Sequence, residues 1–298
     1  MAFDSKKFLI RTGSAAVFVV VLLGCILWNY YSFSALFFIV SLWGLQEFYK
    51  LMSITGAKPN KFFGYSIAVL LYMHASLGNM FLDIFAENIF GMIWLLKFKD
   101  LGFFLALALL FITFIAELFR NQPNPFQNIS VTIAGILYTS LPFYFLNKIT
   151  LFPFHSFGGY DAGADSYNYA IILGMLLLIW SNDTFAYLVG SFIGKNKMFE
   201  RISPGKTWEG TIGGGILTIA ASFLIYKFLG KLDLMDWIIV SVIVVIFGTL
   251  GDLVESMLKR SVGVKDSGKI MPGHGGILDR FDSLIMVAPF VFLYLILK

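Results

Sequence analysis

The sequence predicts an all-α polytopic integral membrane protein, on three observations. First, the chain is 58% hydrophobic and only 13% charged over 298 residues, with a mean hydropathy of +0.80. No soluble domain of that size carries so little charge over so much apolar surface. Second, the apolar residues fall in long uninterrupted runs, as helices require, where a β-barrel would show short alternating segments. Third, the cations gather in the connections between those runs. The polar stretches are of ordinary loop length, so no separate soluble domain is expected.

Runs of about 20 apolar residues mark candidate crossings. Their cores lie at 12–30, 33–52, 62–80, 101–119, 130–147, 168–192, 210–229, 237–259 and 277–297, about nine helices. The first follows Lys6, Lys7 and Arg11 and resembles a signal peptide, but no small-residue cleavage site follows and a second run begins near Ser32. An uncleaved first span is expected. Asn88–Leu96 is apolar but too short to cross and meets Lys97 and Lys99, which suggests an interfacial or re-entrant piece, or a tenth crossing if it spans.

Placing the N-terminus inside puts fifteen Lys and Arg on the cytoplasmic side against six opposite, with Arg280 at the start of the last span. Cytoplasmic loops carry such an excess, so the expected topology is N-terminus cytoplasmic and C-terminus outside. The loop from about Thr150 to Tyr167, with Asp161 and Asp165, then lies outside. Residues 1–150 read as scaffold helices. Residues 151–298 read as the catalytic region of one continuous membrane domain, with cytoplasmic loops at 193–209 and 260–276.

The single cysteine, Cys25, excludes an internal disulfide and a thiolate metal site. His74, His155 and His274 show no zinc spacing. The net charge of +4 is accounted for by the loop cations, and no nucleic-acid partner is expected. Ionised groups beside hydrocarbon cost about 2.5–3.5 kcal/mol each, so those present mark candidate sites.

Four constellations stand out. Asp252, Glu255, Ser256 and Lys259 are spaced i, i+3, i+4 and i+7, which aligns them on one helical face. Pro272-Gly273-His274-Gly275-Gly276 leads into Asp279, Arg280 and Asp282 at the opening of the last span. Glycines let backbone N–H groups approach an anion, and a helix N-terminus favours negative charge. The short connection makes the two helices antiparallel neighbours, so Asp252 and Asp279 are expected to converge and share a magnesium ion, which takes one or two carboxylates plus phosphates and water. A basic loop carries Lys195, Lys197, Arg201, Ser203, Lys206, Thr207, Trp208 and Glu209. Its Gly205-Lys206-Thr207 is not a P-loop, because Glu200 stands where the motif needs glycine. Finally, Asp183 lies within the span 168–192, in Ser181-Asn182-Asp183, just before the basic loop. His74 and Glu47, single polar groups in apolar runs, are read as helix-packing contacts.

Together these residues resemble the phosphatidate cytidylyltransferase (CDP-diacylglycerol synthase) family. The signature matches Ser256, Lys259, Arg260, Lys265, Asp266, Gly268, Pro272, His274, Gly275, Gly276, Asp279, Arg280 and Asp282 within 27 residues, with Met271 the single departure. The upstream motifs around Asp183, Lys206 and Asp252 are also similar, and the match covers about the C-terminal 40% of the chain.

The resemblance implies that CTP and phosphatidic acid give CDP-diacylglycerol and pyrophosphate at the cytoplasmic face, with Asp252 and Asp279 holding Mg2+ and room for a second, monovalent or divalent, cation. It also implies a homodimer among membrane lipids. Lys259 and Arg260 join the two aspartates as catalytic groups. Asp183, Ser203, Lys206, Thr207, Trp208, Glu209, Glu255, Ser256, Lys265, Asp266, His274, Gly275, Gly276, Arg280 and Asp282 are assigned to substrate. The expected membrane is a bacterial plasma membrane.

No protein nucleophile is expected, because both reactants are anionic and need neutralisation and positioning above all. A CTP-dependent transferase or kinase acting on a polyprenol or ether lipid is the alternative. A secondary transporter would carry midplane charges and repeated halves, which this chain lacks.

Overall fold

The computed structural model describes residues 5–80, 89–150, 167–268, 270 and 275–298. Among the described residues the chain forms nine helices: α1 Ser5–Trp28, α2 Tyr30–Ser53, α3 Lys61–Met80, α4 Ile89–Arg120, α5 Pro125–Ile149, α6 Tyr169–Ile193, α7 Trp208–Leu229, α8 Leu234–Ser261 and α9 Leu278–Leu297. Seven are long and apolar enough to cross a membrane: α2, α4 from Asp100, and α5 to α9. In α1 the apolar stretch, Thr12–Trp28, is shorter, and α3 is not among the seven. The all-helical membrane class rests on those seven.

Helix boundaries follow local chemistry. A single residue, Asn29, separates α1 from α2: Ser32 N donates to Asn29 Oδ1 (2.8 Å) and Asn29 N donates to Ser32 Oγ (3.2 Å). That reciprocal cap satisfies two orphan donors at a helix start. The expected separate piece at Ile89–Leu96 is instead the opening of α4, which runs 32 residues without interruption. Lys97 and Lys99 are good helix formers and no proline intervenes, so nothing stops the helix there. Its length of roughly 48 Å exceeds the hydrocarbon core of about 30 Å.

The chain divides into two compact units, residues 1–148 with 266–279, and residues 149–265 with 280–298. In the first, Phe33, Phe37 and Phe143 are fully buried. A polar network lies among such side chains. Tyr30 donates to Asn147 Oδ1 (2.9 Å), Asn147 Nδ2 donates to Ser34 Oγ (3.3 Å) and to Tyr72 Oη (3.2 Å), and Tyr72 donates to the Ser34 carbonyl (2.9 Å). Without water in the hydrocarbon, such groups must satisfy one another. His74 stacks on Tyr144 at 5.8 Å between ring centres.

In the second unit, α6 and α7 pack backbone to backbone. A Cβ on Gly210 would lie 2.7 Å from the Ala186 carbonyl oxygen, and one on Gly214 would lie 2.5 Å from the Ala186 nitrogen. Small residues permit this approach, the usual basis of helix association in lipid. Two short antiparallel strands, β1 Lys197–Phe199 and β2 Ser203–Thr207, join these helices. The expected basic loop is therefore a hairpin. A π-turn at Val244–Gly248 interrupts α8 just before Thr249 and Asp252. There α8 meets α9, with Ser283 Oγ donating to the Gly248 carbonyl (3.1 Å). The antiparallel neighbours expected from the sequence are found.

Candidate functional site

The hairpin is built to present Lys206. Thr207 Oγ1 accepts from Gly210 N (3.2 Å) and caps α7. The carboxylate of Glu209 accepts from Lys195 N (3.1 Å), Asn196 N (3.1 Å) and Asn196 Nδ2 (2.6 Å), while Trp208 N donates to the Asn196 carbonyl (3.0 Å). Thr207, Trp208 and Glu209, expected to meet substrate, thus make the contacts that close the hairpin.

Lys206 opens into a cavity of about 360 Å3, lined from α6 by Asn182, Asp183 and Tyr187, from β2 by Ser203, and from α8 by Thr249 and Asp252. Lys206 Nζ lies 2.7 Å from Asp252 Oδ2 and donates to the Thr249 carbonyl (3.5 Å). Ser256 Oγ donates to the other Asp252 oxygen (3.2 Å). Asp282 lies within electrostatic range of Asp252, Asp183 and Lys206. Its Oδ1 accepts from Ser283 N (2.7 Å).

Three carboxylates thus face one ammonium. A polyphosphate cannot enter such a field without added positive charge. An oxygen-rich set that leaves room for phosphates and water suits magnesium, so the residues fit that ion. Among the described residues no three acidic, histidine or cysteine side chains cluster tightly enough to hold a metal alone.

Other candidates lie outside this cavity wall. Lys259 pairs with the buried Glu255 one turn away on α8. Arg260 is exposed and donates to the Val264 carbonyl (3.2 Å), closing the end of its own helix. Lys265, Asp266 and Arg280 are exposed. His274 lies outside the described residues.

In the first unit the glycine turn departs from expectation. Asp279 Oδ2 accepts from Ser267 N (2.9 Å), Ser267 Oγ (2.8 Å) and Gly276 N (2.7 Å). Glu47, on α2, accepts from Ile277 N (3.0 Å) and Leu278 N (3.0 Å) and shares the single Ser267 hydroxyl proton with Asp279, at 3.0 Å from Ser267 Oγ. The N–H groups of 276–278, expected to cradle phosphate, are thus held by the protein's own carboxylates. A helix N-terminus favours any anion, and these two are built in. Gly275 has φ +83°, and a Cβ there would also strike the Asp279 carboxylate, so only glycine serves.

Two residues were missed. Glu47, expected as a helix-packing contact, is 4% exposed and holds two backbone amides. An acid alone in an apolar run was the available signal. Asn182 is 3% exposed, lines the cavity, and its Oδ1 has no hydrogen-bond partner. Its position in the sequence beside Asp183 was the only hint.

The cytidylyltransferase family matches residues 9–297. A phosphatidate cytidylyltransferase of Staphylococcus haemolyticus is 47% identical over 138 residues, 46% of this chain and 52% of that protein. One of Staphylococcus saprophyticus is 36% identical over 199 residues, 66% of this chain and 71% of that protein. One of Bacillus subtilis is 44% identical over 135 residues, 45% and 50%. The chain thus spans about half the length of the first and third, and more of the second.

Proposed function

The chain belongs to the cytidylyltransferase family, and on that premise we propose that it converts CTP and phosphatidic acid to CDP-diacylglycerol and pyrophosphate within a membrane. The observation that carries the reading is the Lys206–Asp252 pair, set in a cavity with Asp183 and within electrostatic range of Asp282. The relatives named above are called phosphatidate cytidylyltransferases.

In this reaction a phosphate oxygen of the lipid attacks the α-phosphorus of CTP, the bond to the β-phosphate oxygen breaks, and pyrophosphate leaves with the electron pair. No proton need be removed from the attacking oxygen, so no general base is required of the protein. Lys206 exchanges its hold on Asp252 for a phosphate oxygen and offsets charge that develops on the leaving group. The hydroxyls of Ser203 and Thr249 lie along the same wall and donate to phosphate oxygens. Asp252 and Asp279 would hold Mg2+, as the resemblance implies, and the ion would supply neutralisation of the two anionic reactants. The negative charge of Asp183 and Asp282 would strengthen retention of that cation.

The fifteen-to-six distribution of cations supports an orientation with the N-terminus and the cavity on the cytoplasmic side, in our reading with nine crossings of a plasma membrane. The homodimer is carried by the family resemblance.

The test is the purified protein with CTP, phosphatidic acid and Mg2+, following lipid-linked CMP. Product should require all three components, and Asp252→Asn and Asp279→Asn should each abolish turnover in folded protein. Turnover that persists without phosphatidic acid would remove the substrate assignment.

A further inference from the structure

We propose that Glu47, far outside the signature, is a positioning residue of the site, holding the turn that carries Asp279. The proposal rests on Asp279 serving the reaction as described above. Glu47 lies on α2 and is 220 residues from Ser267 in sequence, yet it binds that hydroxyl and two successive backbone amides, Ile277 N and Leu278 N. These are the first free donors of α9. In apolar surroundings an unpaired helix start is costly, so some acceptor must be present before substrate arrives.

The hydroxyl of Ser267 stands between two carboxylates, 2.8 Å from Asp279 Oδ2 and 3.0 Å from Glu47 Oε2. One serine thereby couples the rotamer of Asp279 to the position of Glu47. The turn is shaped around this acid: a Cβ on Gly268 or on Gly276 would collide with the Glu47 carboxylate. The two glycines of the signature are therefore cut to fit a glutamate supplied by the N-terminal helices. Glu47 acts through Ser267 and the backbone of 276–278. A cap of this kind leaves CTP binding largely intact and acts on the geometry of the reacting complex.

The full-length protein in lipid nanodiscs tests this, as wild type and as Glu47→Gln, Ser267→Ala and Asp279→Asn. Glutamine keeps the size and one acceptor oxygen but turns an NH2 towards one of the donor amides. For Glu47→Gln we expect kcat to fall by about tenfold or more with KM for CTP changed by less than about twofold. Amide exchange should quicken over 276–278 and stay unchanged elsewhere. In the double variant Glu47→Gln/Ser267→Ala the loss should match the larger single loss, because the two share one network.

A kcat within about threefold of wild type overturns the proposal, as does a raised KM with unchanged kcat. Fully additive losses overturn it too. If Glu47→Gln does not fold, Ser267→Ala, which deletes a single hydroxyl, decides by the same criteria. Asp279→Asn separates the two readings. If it retains turnover, the assignment of Asp279 itself falls. If it abolishes turnover while Glu47→Gln and Ser267→Ala do not lower it, the positioning role alone falls.

Discussion

Replacing Lys206 by methionine sets two effects of the same side chain against each other. Among the described residues Lys206 is the single cation lining the cavity, and it is paired with Asp252 at 2.7 Å. Its loss removes a charge-assisted hydrogen bond to phosphate, worth about 1.5–3 kcal/mol. At 1.36 kcal/mol per decade that lowers kcat/KM by about 10- to 150-fold. The same substitution frees Asp252 for the cation. The ion pair is partly open to solvent, with the two side chains 23% and 33% exposed. Such a pair contributes about 0–1 kcal/mol, so its removal tightens apparent Mg2+ affinity by at most about fivefold. The first effect exceeds the second. Lys206→Met should therefore turn over slowly yet saturate at lower Mg2+, in steady-state assays with Mg2+ titrated at fixed CTP. Lys206→Arg keeps the charge but not the compact ammonium, and should recover only part of the rate. A Lys206→Met enzyme within about threefold of wild type, or one demanding more Mg2+, would refute the assignment of Lys206 to both partners.

Asn182→Leu removes a buried acceptor that has no partner, so thermal stability should hold or rise by up to about 1 kcal/mol while kcat/KM falls; a stable variant of unchanged activity would make Asn182 a plain packing residue. Gly210→Val drives a side chain into the Ala186 carbonyl across the α6–α7 contact, and should destabilise by about 1–3 kcal/mol in detergent melting, with loss of the hairpin that presents Lys206. Tyr294→Phe deletes the 2.7 Å bond to Asp236 at the far end of α8, about 24 Å along the helix from Asp252. It should lower the melting temperature through loss of about 1.5–3 kcal/mol while kcat stays near wild type.

How much of this was legible depends on how far each residue's partner lies along the chain. Hydropathy is a local property, and the spans near 33–52, 168–192, 210–229 and 277–297 agree with their helices to within about three residues. The stripe of Asp252, Glu255, Ser256 and Lys259 was equally local, and the helix delivers the pairs Asp252–Ser256 and Glu255–Lys259 at its own spacing. The hairpin was not legible, because three- and five-residue strands in a polar connection carry too few side chains to show alternation. Arg260, whose type suits phosphate, donates to the Val264 carbonyl in the turn just beyond its helix, a partner the sequence does not announce.

The glycine turn, expected to approach an anion, meets the carboxylates of Asp279 and Glu47. Geometry of that kind specifies a charge, not a ligand. The protein must fold before its substrate comes, and buried donors left open until then would lack partners. An internal carboxylate therefore holds the position. Here it comes from α2, 230 and 231 residues from the amides it binds. No window on the signature could have supplied it; what could was the cost of a solitary glutamate in an apolar run, which demands donors somewhere in the fold.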